Sequence, residues 1–197
     1  MRYIFYITGK SASGKDSIYK ELLNDESLKL NPIVLNTTRP MRDGETDGSE
    51  YRFVDENEYQ RLLKHGEVLE CRTYETVHGP WRYFTVASSV DRTRDYYLGI
   101  GTLESFSGLK DHFGGGRIIP IYIELDDGDR LIRAIKREKE SGRPDYKEMC
   151  RRYLADDEDF SEERLEQAGI KDRYRFENQD LYECIDDIRR MIIGYQG

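Results

Sequence analysis

Cysteine and histidine are scarce in this chain of 197 residues, with three of each at Cys71, Cys150 and Cys184 and at His65, His78 and His112. Cysteines that are few, odd in number and without paired spacing argue against a disulfide framework and a zinc site, and fit reduced thiols. The scattered histidines read as surface or structural side chains, not as metal ligands. Long apolar runs are missing too. The longest, such as "IIPIYI", fall far short of the roughly 20 residues that cross a bilayer. No basic, apolar, small-residue leader opens the chain, so the expectation is a cytoplasmic protein without a membrane partner. Basic residues are outnumbered, 31 against 39 acidic, for a net charge of −8. That balance speaks against bulk attraction to nucleic acid or anionic membranes, so any polyanion site must be local. Arginine does concentrate at Arg39 and Arg42, and again between Arg130 and Arg152.

What is present suits a globular protein with one ample core and a heavily solvated surface: 36% charged and 37% hydrophobic residues. "RYIFYIT" reads as a buried strand ended by Gly9, and "DSIYKELL" places Ile18, Leu22 and Leu23 on one helical face. "NPIVLNTT" reads as a second short strand, followed by β-like pieces at "YRFV", "EVLECRTY" and "WRYFTV". The helix "ENEYQRLLKHG" interrupts them, with Asp55 as its cap, Glu58 three residues on and Gly66 to close it. Further buried strands at "YYLGIG" and "RIIPIYIEL" precede a charged helical region from about Asp129 to Ala168. A strand at "YRFEN" and a terminal helix complete the chain. Alternating strands and helices predict an α/β parallel sheet, and the short strands between Thr37 and Val86 predict an inserted β-rich lobe. No repeat, low-complexity tract or unstructured linker is present.

"ITGKSASGKDS" carries Gly9, Gly14 and Lys15 in a Gly-x4-Gly-Lys spacing between a strand and a helix. Composition alone yields roughly 0.07 chance occurrences in a chain this long, and the strand–helix context lowers that further. Such a loop converges backbone N–H groups and a helix N-terminus on phosphate, with Ser11 and Ser13 inside it, while the lysine neutralises the outer phosphates. Where a hydroxyl that ligates Mg²⁺ is usual the chain has Asp16, and Ser17 follows one place late. A carboxylate is itself a hard oxygen ligand for Mg²⁺. Two options stand: Asp16 holds the metal, or it turns away while Ser17 caps the helix.

The stretch "NTTRPMRDGETDGSEYRFV" resembles the monophosphate-binding lobe of guanylate kinases, in which Thr-Thr-Arg-x-x-Arg is followed by Gly-Glu, a Gly and Tyr-x-Phe-Val. Thr37, Thr38, Arg39, Arg42, Gly44, Glu45, Gly48, Tyr51, Phe53 and Val54 all match. A solvated basic hairpin would account for either arginine alone, but not for ten matched positions. The resemblance implies that Thr38, Arg39, Arg42 and Tyr51 hold the acceptor phosphate, that Glu70 in "GEVLECRTY" reads guanine, and that Tyr83 and Thr85 touch phosphate and base. It also implies that Arg152 in "CRRYLADDEDF" contacts the transferred group, that Arg137 is the second lid arginine in competition with Arg133 and Arg143, and that Asn178 lies near the adenine of ATP. The implied architecture is a P-loop NTPase-type parallel sheet with flanking helices. Residues 1–36 and 87–197 form its core, with a helical lid at about 137–160 and a monophosphate-binding lobe at 37–86.

Two departures bear on the acceptor. Gly99 and Gly101 stand where guanylate kinases usually carry Asp-x-Asp, and Leu35 where a serine commonly helps read guanine. If Asp16 brings a carboxylate to the metal from the loop, the strand need not supply one. The expectation is an ATP- and Mg²⁺-dependent kinase acting on GMP or a related monophosphate. A guanylate-kinase-like binding module with little activity is the alternative, and a stand-alone P-loop hydrolase would leave the 37–54 match unexplained.

Overall fold

The computed structural model describes residues 1–42, 44–49, 51–76, 79–91, 93–142 and 144–197; His78 and Arg143 lie outside the described residues. Strand β1 (Tyr3–Thr8) is the centre of a five-stranded sheet. Beside it run β7 (Tyr96–Ile100) and β8 (Ile118–Glu124), with β2 (Asn31–Pro32) and β9 (Arg175–Glu177) at the edges, every pairing parallel. Alternate residues of β1 feed opposite cores, as the two-residue period of a strand requires. Ile4 and Tyr6 pack with α3 (Leu103–Phe113) and α6 (Glu162–Ala168), while Phe5 and Ile7 pack with α1 (Lys15–Asn24) and α7 (Leu181–Gln196). Ile18 and Leu22 of α1 are fully buried there, each stabilising the fold by about 1.5–3 kcal/mol, while Leu23 is only half-buried. The result is a parallel sheet between two helical layers.

A second sheet holds β3 (Asn36–Thr37), β4 (Arg52–Phe53), β5 (Val68–Thr76) and β6 (Gly79–Val86), in the order β4-β3-β6-β5. Helix α2 (Glu56–Lys64) covers one face, packing Tyr59 and Leu62 on Phe84 and Val86. Its cap is the one expected: the Asp55 carboxylate accepts from the Glu58 N–H at 2.8 Å.

Two segments differ from the sequence reading. "NPIVLNTT" is not one strand: β2 lies at the edge of the large sheet and β3 in the small one, with the chain crossing between them at 33–35. Pro32 sits at the open edge, where a missing N–H costs nothing, and the Ile33 N–H makes the last bond to the Leu98 carbonyl at 3.0 Å. The charged helical region divides into α4 (Asp127–Glu140), α5 (Tyr146–Asp159) and α6. The first break falls at Gly142 and Pro144, where a left-handed glycine (φ 74°) and a residue without an N–H stop a helix. No helix among the described residues is long and apolar enough to cross a membrane.

Candidate active site

Parallel sheets gather their loops at the C-terminal edge of the strands. Here that edge brings together the glycine loop after β1, Gly101 and Thr102 after β7, and Asn178 after β9. Gly14 is the N-cap of α1 in the left-handed conformation (φ 93°), and no side chain caps the helix. A Cβ at Gly14 would run into the Asn178 amide, so only glycine fits. The helix begins at Lys15, which makes Ser17 an exposed residue inside the first turn and not its cap; that option for Ser17 is overturned. The Asp16 side chain is largely exposed into the cleft, with its carboxylate 3.9 Å from the Lys15 ammonium.

Asn178 is buried beneath the loop. Its amide donates to the Ser13 carbonyl at 2.7 Å, its own N–H bonds the Glu124 carbonyl, and its carbonyl accepts from Arg133 at 3.0 Å. Its NH₂ thereby braces the loop. The Ser13 hydroxyl and the Asn178 Oδ1 are buried without a protein partner, as expected of a loop shaped around polar ligand groups.

A latch that sequence reading missed ties the loop to the lid helices. Arg130 of α4 is fully buried, donating to the Ser11 carbonyl at 3.0 Å and to Asp156 of α5 at 3.1 Å, and pairing with Asp127 at 2.9 Å. Asp156 in turn accepts from the Ser11 N–H at 2.7 Å, and Lys10 bridges Asp127 and Asp157. Burial opposes charge on Asp127, but Arg130 and Lys10 outweigh it and hold its pKa below the usual range. In sequence Arg130 sits in a charged helix and looks solvated; no local pattern marks it.

The lid arginines are placed unequally. Arg152 and Arg151 line the cleft and share Glu148, Arg151 at 2.7 Å and Arg152 at 3.6 Å. Arg137 is exposed on α4 and is not among the residues lining the cleft. Its competitor Arg133 reaches the loop through Asn178, because it lies one helical turn earlier.

Across the cleft, Arg39 is buried and forks onto Glu45 at 2.7 and 2.8 Å, with a further bond to the Pro40 carbonyl. Tyr51 and Phe53 lie over the guanidinium with ring centroids at 5.4 and 5.3 Å. Bonding to Arg39 pulls the Glu45 pKa down to about 2. Arg42 is exposed and gives its backbone N–H to Glu45, while the Thr38 hydroxyl accepts from the Arg82 N–H. Tyr51 and Tyr83 meet edge-on at 5.6 Å and line the cleft. Thr85 donates to Glu70 at 2.7 Å. Glu70 also faces Arg72, 3.5 Å away and equally buried, which the sequence reading did not single out. Burial raises the Glu70 pKa against the pull of Arg72 and Thr85, while for Arg72 burial is outweighed by Glu70 together with Tyr6, Tyr74 and Tyr51, which hold its pKa above the usual range. The available signal was alternation, since Glu70, Arg72 and Tyr74 share one face of β5.

The two glycines of β7 have a visible cause. Tyr6 is opposite Gly99 in the β1–β7 register, and a Cβ at position 99 would sit 2.6 Å from its ring. The tyrosine runs on beneath Gly101 to bond Ser105 at 2.5 Å. Burial pushes its pKa far up, so it remains a neutral phenol where the resemblance would put carboxylates. Leu35 is buried and adds an apolar wall.

These elements border a cleft whose wider arm holds about 1740 Å³ and whose inner arm, at the glycine loop, holds about 850 Å³. Each arm is large enough for a nucleotide-sized ligand. Sheet, loop and site define an α/β protein of the P-loop NTPase class. The guanylate kinase family profile matches residues 1–154, so the chain belongs to that family of ATP-dependent nucleoside monophosphate kinases. A guanylate kinase of Mycoplasmoides gallisepticum is 26% identical over 98% of this chain and 92% of its own length. One from Methylobacillus flagellatus is 44% identical over 45% of this chain and 41% of its own length. The crystal structure of guanylate kinase from Anaplasma phagocytophilum superposes with a TM-score of 0.68 at 19% identity, covering 98% of this chain and 86% of that one.

Proposed function

We propose that the protein transfers the γ-phosphoryl group of ATP to GMP or a related nucleoside monophosphate. One observation carries this: the glycine loop, through Gly9, Ser11 and Lys15, and the Tyr51, Arg72 and Tyr83 face of the small sheet open onto a single cleft. ATP belongs at the loop, where Gly9, Ser11, Ser13 and Gly14 shape the phosphate cradle and Lys15 neutralises its outer end. The segment 37–86 acts as the acceptor lobe, and about 137–160 as the lid that brings Arg152 and, on closing, Arg137 over the transferred group. Alignment of donor and acceptor and neutralisation of charge do the chemical work; no covalent intermediate is required. Closure excludes water and suppresses ATP hydrolysis.

Mg²⁺, when bound with ATP, would supply neutralisation of the phosphate charge. Among the described residues no group of three or more His, Cys, Asp or Glu stands ready to hold a metal. A kinase Mg²⁺ needs only one or two carboxylates beside phosphate and water, and Asp16, exposed beside Lys15, fits that need. An Asp16→Ser variant is expected to need at least tenfold more Mg²⁺ for half-maximal turnover; an unchanged requirement removes Asp16 from the metal site.

The test of the whole reading is ADP formation from Mg·ATP with GMP, dGMP, IMP, AMP, CMP, UMP or dTMP, against a no-acceptor control. Turnover that depends on an acceptor and falls by about 10²–10³ in Lys15→Ala supports it. A folded protein that binds nucleotide but shows no acceptor-stimulated turnover is a binding module instead.

A further inference from the structure

We propose that Arg72, which lies outside the Thr-Thr-Arg-x-x-Arg stretch, is a ligand of the acceptor's 5′-phosphate, with Glu70 as its counter-ion while the pocket is empty. The proposal rests on the kinase reading above. Three features of the small sheet support it.

The first is position. Along the β5–β6 ladder, Glu70 pairs with Thr85, Arg72 with Tyr83, and Tyr74 with Trp81. The intervening Cys71 and Phe84 point into the core under α2, so these three pairs form successive rows on the opposite face. Arg72 therefore stands one row beyond Glu70, about 7 Å along the strand, beside the Tyr83 phenol and the Tyr51 ring that meets it. It borders both arms of the cleft, the one with Tyr83 and the one with Lys15.

The second is unmet bonding capacity. A guanidinium has five N–H donors. Arg72 gives one to Thr102 at 3.3 Å, its Nε is buried without a hydrogen-bond partner, and its side chain is only 9% exposed. A cation buried to that degree calls for a strong anionic acceptor, and a phosphate dianion matches the guanidinium fork in both charge and shape.

The third is what the motif arginines do. Arg39 has both terminal nitrogens bound to Glu45 and rings over its plane, while Arg42 stands exposed outside the cleft lining. Of these three arginines, Arg72 alone is both buried and on the cavity wall. A base carbonyl is the competing occupant. The row shared with Tyr83 and the border with the Lys15 arm favour phosphate.

The test is calorimetric binding of GMP, with guanosine measured as its competitor, to the wild type, Arg72→Gln and Arg72→Lys without ATP. Arg72→Gln is expected to weaken GMP at least tenfold and leave guanosine within twofold, with Arg72→Lys recovering part of the loss. In turnover, KM for GMP should rise with KM for ATP unchanged. Equal losses for GMP and guanosine would make Arg72 a base reader, and unchanged GMP binding would make it structural; either overturns the proposal. If Arg72→Gln alone fails to fold because Glu70 is left unpaired, an Arg72→Gln, Glu70→Gln double variant is compared with Glu70→Gln in the same titrations. Because binding is read without catalysis, a wild type that binds GMP but never phosphorylates it sinks the kinase reading and still leaves this one decided.

Discussion

On the donor side of the cleft the loop is braced by residues from other elements, whereas on the acceptor side the motif residues mostly brace one another. Ser11 is held by Arg130 and Asp156, and Ser13 by Asn178, so α4, α5 and the segment after β9 all converge on one loop. Arg39, Glu45 and the Arg42 backbone close on themselves, and the buried charge on the cavity wall is Arg72, backed by Glu70. The difference teaches that a matched motif can serve shape on one wall and ligand contact on the other. It also explains how the acceptor pocket can change its chemistry, with Tyr6 lying where carboxylates would project, while the lobe keeps its outline.

The sharpest way to break the donor side is to remove its buried cation. Arg130→Ala takes the buried guanidinium away from Asp156 and Asp127, leaving them to the Ser11 N–H and Lys10, and chemical denaturation should show a loss of about 3–5 kcal/mol. An Arg130→Met, Asp156→Leu pair should recover most of it, since removing both charges removes the penalty. A loss below about 1 kcal/mol for Arg130→Ala would mean the latch does not hold the loop.

The acceptor side should respond less. Gly99→Ala forces a methyl against the Tyr6 ring and should cost about 1–3 kcal/mol, relieved when combined with Tyr6→Leu. Additive losses in the double variant would show that Tyr6 is not what requires the glycine.

The smallest effect is an acid limb. Glu45 titrates near 2 in the folded lobe because of Arg39, against an ordinary value of 4.5. A depressed carboxylate contributes stability fully above its unfolded pKa and loses it as pH falls through the folded one. Melting temperatures of wild type and Glu45→Gln should therefore converge between pH 4.5 and 2. A constant gap over that range would remove the pair from the account.

Much of this was legible in the sequence for a physical reason. The central strands are continuous apolar runs, and the loop needs glycine at a left-handed position, so both leave marks in the order of residues. Asp55 marked its helix equally well. Contacts between distant segments left none. Arg130 reads as one more charge in a highly charged helix until α5 covers it, and Tyr6 reads as core until Gly99 and Gly101 show why nothing larger stands there. Arg72 was within reach, because strand alternation puts it on the face of Glu70. The split of "NPIVLNTT" was not, because two short edge pairings in different sheets look like one strand.

The most direct measurement follows the phosphoryl group itself. With ATP labelled at the γ-phosphate, Mg²⁺ and GMP, the account predicts label in GDP, none above background as inorganic phosphate, and transfer about 10²–10³-fold slower in Lys15→Ala. If another monophosphate is preferred, its diphosphate carries the label and the account stands. Label released only as inorganic phosphate, or retained in ATP with every acceptor, would contradict it.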